Sequence, residues 1–147
     1  MNLSDTKEFT TALGAHSLKY VDLELPADRG SDAIVVHIPG KNREWISCHC
    51  LFAEGKSTVS FRVYEVAKVE DKKNIPSVLI LLNSLNRKYH YAKFCLDMDD
   101  DTIQVEYDTT YASSARLYDN VYNALRQVAA ICDDAYPRIL DAAQGRD

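Results

Sequence analysis

Residues 43–66 read Arg43-Glu-Trp-Ile-Ser-Cys-His-Cys-Leu-Phe-Ala-Glu-Gly-Lys-Ser-Thr-Val-Ser-Phe-Arg-Val-Tyr-Glu-Val66, and the period of two in this run sets the fold class. Ile46, Cys48, Cys50 and Phe52 fall on one side of an extended chain, with Trp45, Ser47, His49 and Leu51 on the other. After a turn at Glu54, Gly55 and Lys56, the residues Val59, Phe61 and Val63 alternate with Ser60, Arg62 and Tyr64. So short a link requires antiparallel pairing.

Working upstream, Ala33 to Ile38 forms another strand, closed by a turn at Pro39 and Gly40. Leu18 to Leu25 also alternates, with Val21, Leu23 and Leu25 against Asp22 and Glu24. Ser4 is the expected N-cap of a short helix, Asp5 to Ala15, whose apolar stripe is Leu3, Phe9, Ala12 and Leu13. Downstream, Ala67 to Lys73 reads as a charged linker. Asn74 then caps a helix with Pro76 in its first turn, and Val78, Leu81, Leu82, Leu85 and Tyr89 form its apolar side. A hairpin follows, with His90, Ala92, Phe94 and Leu96 alternating before a turn in Asp97 to Asp101, and Ile103, Val105 and Tyr107 after it. The last helix starts at Ser113 or Ser114 and carries a continuous seam of Leu117, Val121, Leu125, Val128, Cys132 and Ala135. Pro137 is expected to kink or end it, leaving Arg138 to Ala143 as a final turn or frayed tail. The sum is an α+β two-layer sandwich, an antiparallel sheet with helices on one face in the order α-β-β-β(-β)-α-β-β-α, expected as one domain over residues 1–147.

Composition narrows the function. With 147 residues, 46% hydrophobic and 27% charged, the chain can bury a core without a metal or crosslink. Its net charge of -5 disfavours the phosphate-neutralising surface of a nucleic-acid binder. The longest apolar run, Val78 to Leu82, is far short of the ~20 residues that span a bilayer. Met1 to Glu8 lacks the basic-then-apolar pattern of an export signal, so a soluble cytoplasmic protein with reduced cysteines is expected.

The run Ile75-Pro-Ser-Val-Leu-Ile-Leu-Leu-Asn-Ser-Leu-Asn86, with Tyr91-Ala-Lys-Phe-Cys-Leu-Asp97, Ile103-Gln-Val-Glu-Tyr-Asp108 and Ala130-Ile-Cys-Asp-Asp-Ala-Tyr-Pro137, resembles the YbjN family. The resemblance covers about residues 57 to 140. It implies a bacterial sensory transduction regulator with a fold similar to that of type III secretion chaperones. Those chaperones are small acidic homodimers that bind client polypeptides and perform no catalysis. A homodimer without cofactor is therefore expected here.

Four constellations compete for a chemical role. Cys48 and Cys50 point to one side of a strand and could clasp a soft metal in a sensing domain, but they lie between Ile46 and Phe52, where buried cysteine acts as a small hydrophobe. Asp97, Asp99 and Asp101 match the start of a calcium loop, yet Thr102 stands where Gly is needed and Asp108 replaces the bidentate Glu. The basic and aromatic run Asn86 to Lys93 coincides with a helix C-terminus, where cations are expected from the dipole. No Gly-x-Ser-x-Gly elbow or Gly-rich phosphate loop occurs, and the four histidines, His16, His37, His49 and His90, are not paired by local sequence with a plausible nucleophile (His49 points to the opposite side of the strand from Cys48 and Cys50), so no catalytic residue is assigned. The strand face opposite the helices remains. It displays Trp45, His49, Leu51, Arg62, Tyr64 and Tyr91, residues of the kind that anchor interfaces. The expected function is a non-enzymatic protein-binding module acting on a protein or peptide client, with no metal, nucleic acid or membrane involved.

Overall fold

The computed structural model describes residues 1–111 and 114–146. Helix α1 (Ser4–Ala15) leads into four strands, β1 (Lys19–Asp22), β2 (Ser31–Pro39), β3 (Trp45–Ala53) and β4 (Thr58–Lys68). Helix α2 (Ile75–Lys88), the hairpin β5 (Lys93–Asp97) and β6 (Thr102–Thr110), and helix α3 (Ser114–Ala143) complete the chain. Ser113, one of the two expected starts of the last helix, lies outside the described residues. The six strands form one antiparallel sheet in the order β1-β2-β3-β4-β6-β5. This is the expected α+β architecture, with four strands in the first group.

One face of the sheet is sealed. Ile46, Cys48, Cys50 and Phe52 of β3 and Val59, Phe61 and Val63 of β4 share a core with the α3 seam, in which Leu117, Val121, Leu125, Val128, Cys132 and Ala135 are all buried. Phe9 and Leu13 of α1 and Val78, Leu82 and Leu85 of α2 close its two ends. Two bends shape the sheet itself. Between its pairs with Val105 and Ile103 of β6, strand β4 runs from Val63 to Ala67, an irregular register with Glu65 in the left-handed region at φ 49°. Such a bulge twists its strand away from the neighbour. The β3–β4 ladder accordingly stops at His49 and Arg62, and Trp45 to Cys48 pair in the ladder with β2 alone. At the far edge, Asn86 of α2 brackets the β5 backbone: the Phe94 amide donates to its Oδ1 at 2.6 Å, and its Nδ2 donates to the Phe94 carbonyl at 3.1 Å. Those groups are no longer open to a foreign strand.

Pro137 neither ends α3 nor frees a tail. The helix continues to Ala143, with Ile139 and Ala143 buried. Proline withholds the amide hydrogen that would bond the carbonyl four residues back, that of Asp133. Asn42, in the turn between β2 and β3, supplies the missing donor, its Nδ2 lying 3.0 Å from that carbonyl. The Asp133 carboxylate reaches into the same turn and accepts from the amides of Lys41, Asn42 and Arg43 at 2.9 to 3.0 Å. A Cβ on Gly40 would stand 2.4 Å from Asp133 Oδ1, so the approach requires glycine. The Arg43 guanidinium lies 5.1 Å from the Tyr136 ring centroid and adds a second contact between turn and helix.

A second carboxylate corrects the start of the chain. Ser4 makes no capping bond, and Leu3 occupies the N-cap position. Buried Asp32 on β2 instead accepts from the amides of Asn2 and Leu3, at 2.8 and 2.7 Å. Asn74 is likewise no side-chain cap for α2; its Nδ2 donates to the Ala143 carbonyl at the end of α3. The expected strand from Leu18 to Leu25 stops at Asp22, and the expected linker from Ala67 begins inside β4.

Burial pushes the Asp133 carboxyl up, but the three turn amides outweigh it and hold the group below the ordinary carboxylate range. For Asp32 the amides of Leu3 and Asn2 outweigh burial in the same way. Both contributions are present above the unfolded carboxylate pKa, about 3.9, and are lost as pH falls through the lower folded values. Asp133→Ala should cost about 3 kcal/mol, because it strands three amides of a partly buried turn. Asn42→Ala should cost about 1 kcal/mol in the native chain and clearly less beside Pro137→Ala, where the helix can supply its own donor. Urea melts of the four variants of that cycle measure the coupling, and additive losses would contradict the assigned exchange of donors.

Candidate functional site

The face of the sheet away from the helices has an order that follows from the register. One transverse row passes through Val21, Val35, His49, Arg62, Glu106 and Lys93, one residue from each strand. It changes from apolar to charged across its length. At the β4–β6 end the charges satisfy one another: Arg62 Nη1 donates to Asp108 Oδ1 at 2.8 Å and to the Phe61 carbonyl at 2.7 Å, while Nε is 3.9 Å from Glu106. At the β1–β3 end lie Val21, Val35, Leu51 and Trp45, with Leu23 exposed just beyond β1. Trp45 is 52% exposed and Tyr64 is 45% exposed.

Between these halves stands His49. Its ring meets Tyr64 edge-on, with centroids 4.9 Å apart, and its Nδ1 is buried without a hydrogen-bond partner. Burial pushes the imidazole down from its usual value, which favours the neutral ring at pH 7. Below Trp45 the face opens into a cleft of about 710 Å³, walled by Leu18, Pro39 and Trp45 and rimmed by His16, Lys19 and His37. Lys19 is opposite His37 across β1 and β2, and His37 Nδ1 lies 2.9 Å from Ser47 Oγ. These rim residues escape a reading of local sequence, because His37 comes opposite Lys19 only through the pairing of β1 with β2. The outward position of Lys19 on a two-period strand was the one available signal.

The six residues expected on this face do not form one group. Trp45, His49, Leu51, Arg62 and Tyr64 share it, although Arg62 is committed to the carboxylates of β6. Tyr91 stands apart, ahead of β5 at the opposite edge. Its ring is 5.9 Å from Tyr107 beside a small hollow of about 190 Å³ that also touches Lys93 and Asp108. Tyr107 in turn stacks on buried Phe61, and the hollow also reaches Glu106, so Tyr91 sits at the β5 edge of the sheet, away from Trp45.

The other constellations serve the fold. Asp97 accepts from the Asp99 amide and Asp100 from Thr102, so these carboxylates shape their own turn. Tyr89 donates its hydroxyl hydrogen to Asp134, which also draws Lys88 to 3.6 Å. Cys48 and Cys50 are both fully buried on the inner face, and among the described residues no group of three His, Cys, Asp or Glu could hold a metal ion. Burial pushes the Cys50 thiol well up and the Cys132 thiol up to about 12, which disfavours the thiolate that binds metals. No helix among the described residues is long and apolar enough to cross a membrane. Of the four cysteines only Cys95 is partly exposed. A thiol-reactive disulfide reagent should therefore modify one cysteine in the native protein and all four after unfolding, and Cys95→Ser should abolish the native reaction. Native reaction at Cys48 or Cys50 would contradict the sealed inner face.

No curated protein matches the sequence. Among solved structures, the fold is similar to the crystal structure of YbjN, described as "a putative transcription regulator", from E. coli. The two share 15% identity at a TM-score of 0.56, over 90% of this chain and 92% of the other. The family model YbjN, "Putative bacterial sensory transduction regulator", matches residues 17–141, which span the whole sheet, α2 and nearly all of α3. The chain belongs to the YbjN family.

Proposed function

We propose that this chain is a non-enzymatic regulatory module that works in the cytoplasm by holding a segment of a protein client against the apolar half of its open sheet face. The observation that carries this reading is the unequal outer face. Half of it is charged and internally paired, and half presents Val21, Leu51, Trp45 and Tyr64 with no helix over them. An exposed apolar patch bordered by polar groups marks an interaction surface, and tryptophan and tyrosine supply much contact area at small entropic cost. An extended segment lying across β1 to β4 would cover both rings. The regulatory role agrees with the description of the family. A homodimer is proposed on the family's resemblance to secretion chaperones, with the Trp45 half left free for the client.

Immobilised protein should retain a polypeptide from the cells that make it, and Trp45→Ala with Tyr64→Ala should abolish retention without unfolding. Each replacement should weaken binding by about 2 kcal/mol or more, roughly thirtyfold. Equal retention by the double variant would refute the reading. Light scattering should give twice the chain mass at micromolar concentration, and a monomer would remove the dimer.

A further inference from the structure

We infer that the cleft below Trp45 receives an acidic side chain of the client, next to an apolar residue that packs on the indole. The inference rests on the client-binding reading and adds the chemistry of the segment that is bound. Three nitrogen bases, His16, Lys19 and His37, line the cleft, and no carboxylate does among the described residues. None of the described ion pairs engages them. Their positions are held by the fold. His37 and Ser47 are cross-strand partners, and a Ser47 hydroxyl donating to Nδ1 leaves the His37 Nε2 hydrogen free to donate. His16 is stacked against Tyr118 and Tyr122, with centroids 5.4 and 4.7 Å away.

Charge decides the occupant. The chain carries a net charge of -5, and the outer-face carboxylates Glu106 and Asp108 sit at the other end, beside Arg62. An acidic residue is therefore repelled by most of the molecule and accepted at the Trp45 end, which fixes both the position and the direction of a bound strand. The cleft is continuous with the proposed client surface through Trp45 and Ser47, so a single extended segment reaches both.

Random heptapeptides displayed on phage and selected against the immobilised full chain should converge on Asp or Glu within two positions of an aromatic or branched aliphatic residue. The leading peptide, made synthetically and titrated by the fluorescence of Trp45, the one tryptophan, should bind with a shielded indole. Lys19→Glu should weaken it about tenfold, a loss of about 1.4 kcal/mol, and Lys19→Gln less. Exchanging the acid of the peptide for its amide should erase the difference between the native chain and Lys19→Glu. Lys19 is exposed on an edge strand, and unchanged circular dichroism certifies each variant. An apolar consensus without an acid would overturn the inference while leaving the client reading intact. Selection of no consensus at all would remove both. A shift of Trp45 emission with protein concentration alone would make a second copy the occupant and overturn the inference as well.

Discussion

Helix α3 lies against the inner face of the sheet, and the rest of the structure depends on that contact. The helix places the seam from Leu117 to Ala135, continued by Ile139, in one buried row against strands from both halves of the sequence. Burying each of its Val, Leu and Ile side chains is worth roughly 1.5 to 3 kcal/mol. The seam has to stay in register with the sheet, and the Asp133 clamp provides that register: one residue holds the β2–β3 turn through its carboxylate and receives Asn42 through its carbonyl. Pro137 is part of the device, because it vacates the carbonyl that Asn42 occupies. The family-like segment Ala130 to Pro137 is thus read as a joint between helix and turn, with Tyr136 under Arg43 and Asp134 on Tyr89.

Helices over one face leave the other open, and the register decides what that open face presents. Because strand pairing sets Val21, Val35, His49, Arg62, Glu106 and Lys93 in one line, hydrophobic and charged residues separate by strand. The bulge in β4 increases this asymmetry. It ends the β3–β4 ladder at His49, so Trp45 and Tyr64 flank a place where the two strands diverge. An apolar half-face beside a self-neutralised one is a surface with direction, and direction is what a binding module needs to select a register in an extended partner.

Much of this was legible in the sequence, for a physical reason. A strand with one sealed face must alternate, so β3 and β4 declared themselves residue by residue, and the 3.6-residue spacing from Leu117 to Ala135 announced α3. What stayed hidden is non-local. Ser4 looked like a cap because caps are usually local, whereas Asp32 caps α1 from a strand some thirty positions away. Pro137 looked like a helix end because its cost is normally unrelieved; the relief comes from Asn42, remote in sequence. Counting in twos groups Tyr91 with the outer-face residues but cannot say how far apart they lie, and the sheet order puts it ahead of β5, at the far edge from β1. The cleft bases escape for the same reason as the caps, since His37 reaches Lys19 through the pairing of β1 with β2 and His16 is held by Tyr118 and Tyr122 of α3.

The central claim is that this protein acts through the outer surface of its sheet, and amide hydrogen exchange of the free chain against its complex with a retained partner tests it most directly. Slower exchange confined to residues 19–23, 45–51 and 60–64, with α2 and α3 unchanged, is the expected result. Protection centred on the helices, with those strand segments exchanging as before, would contradict the account.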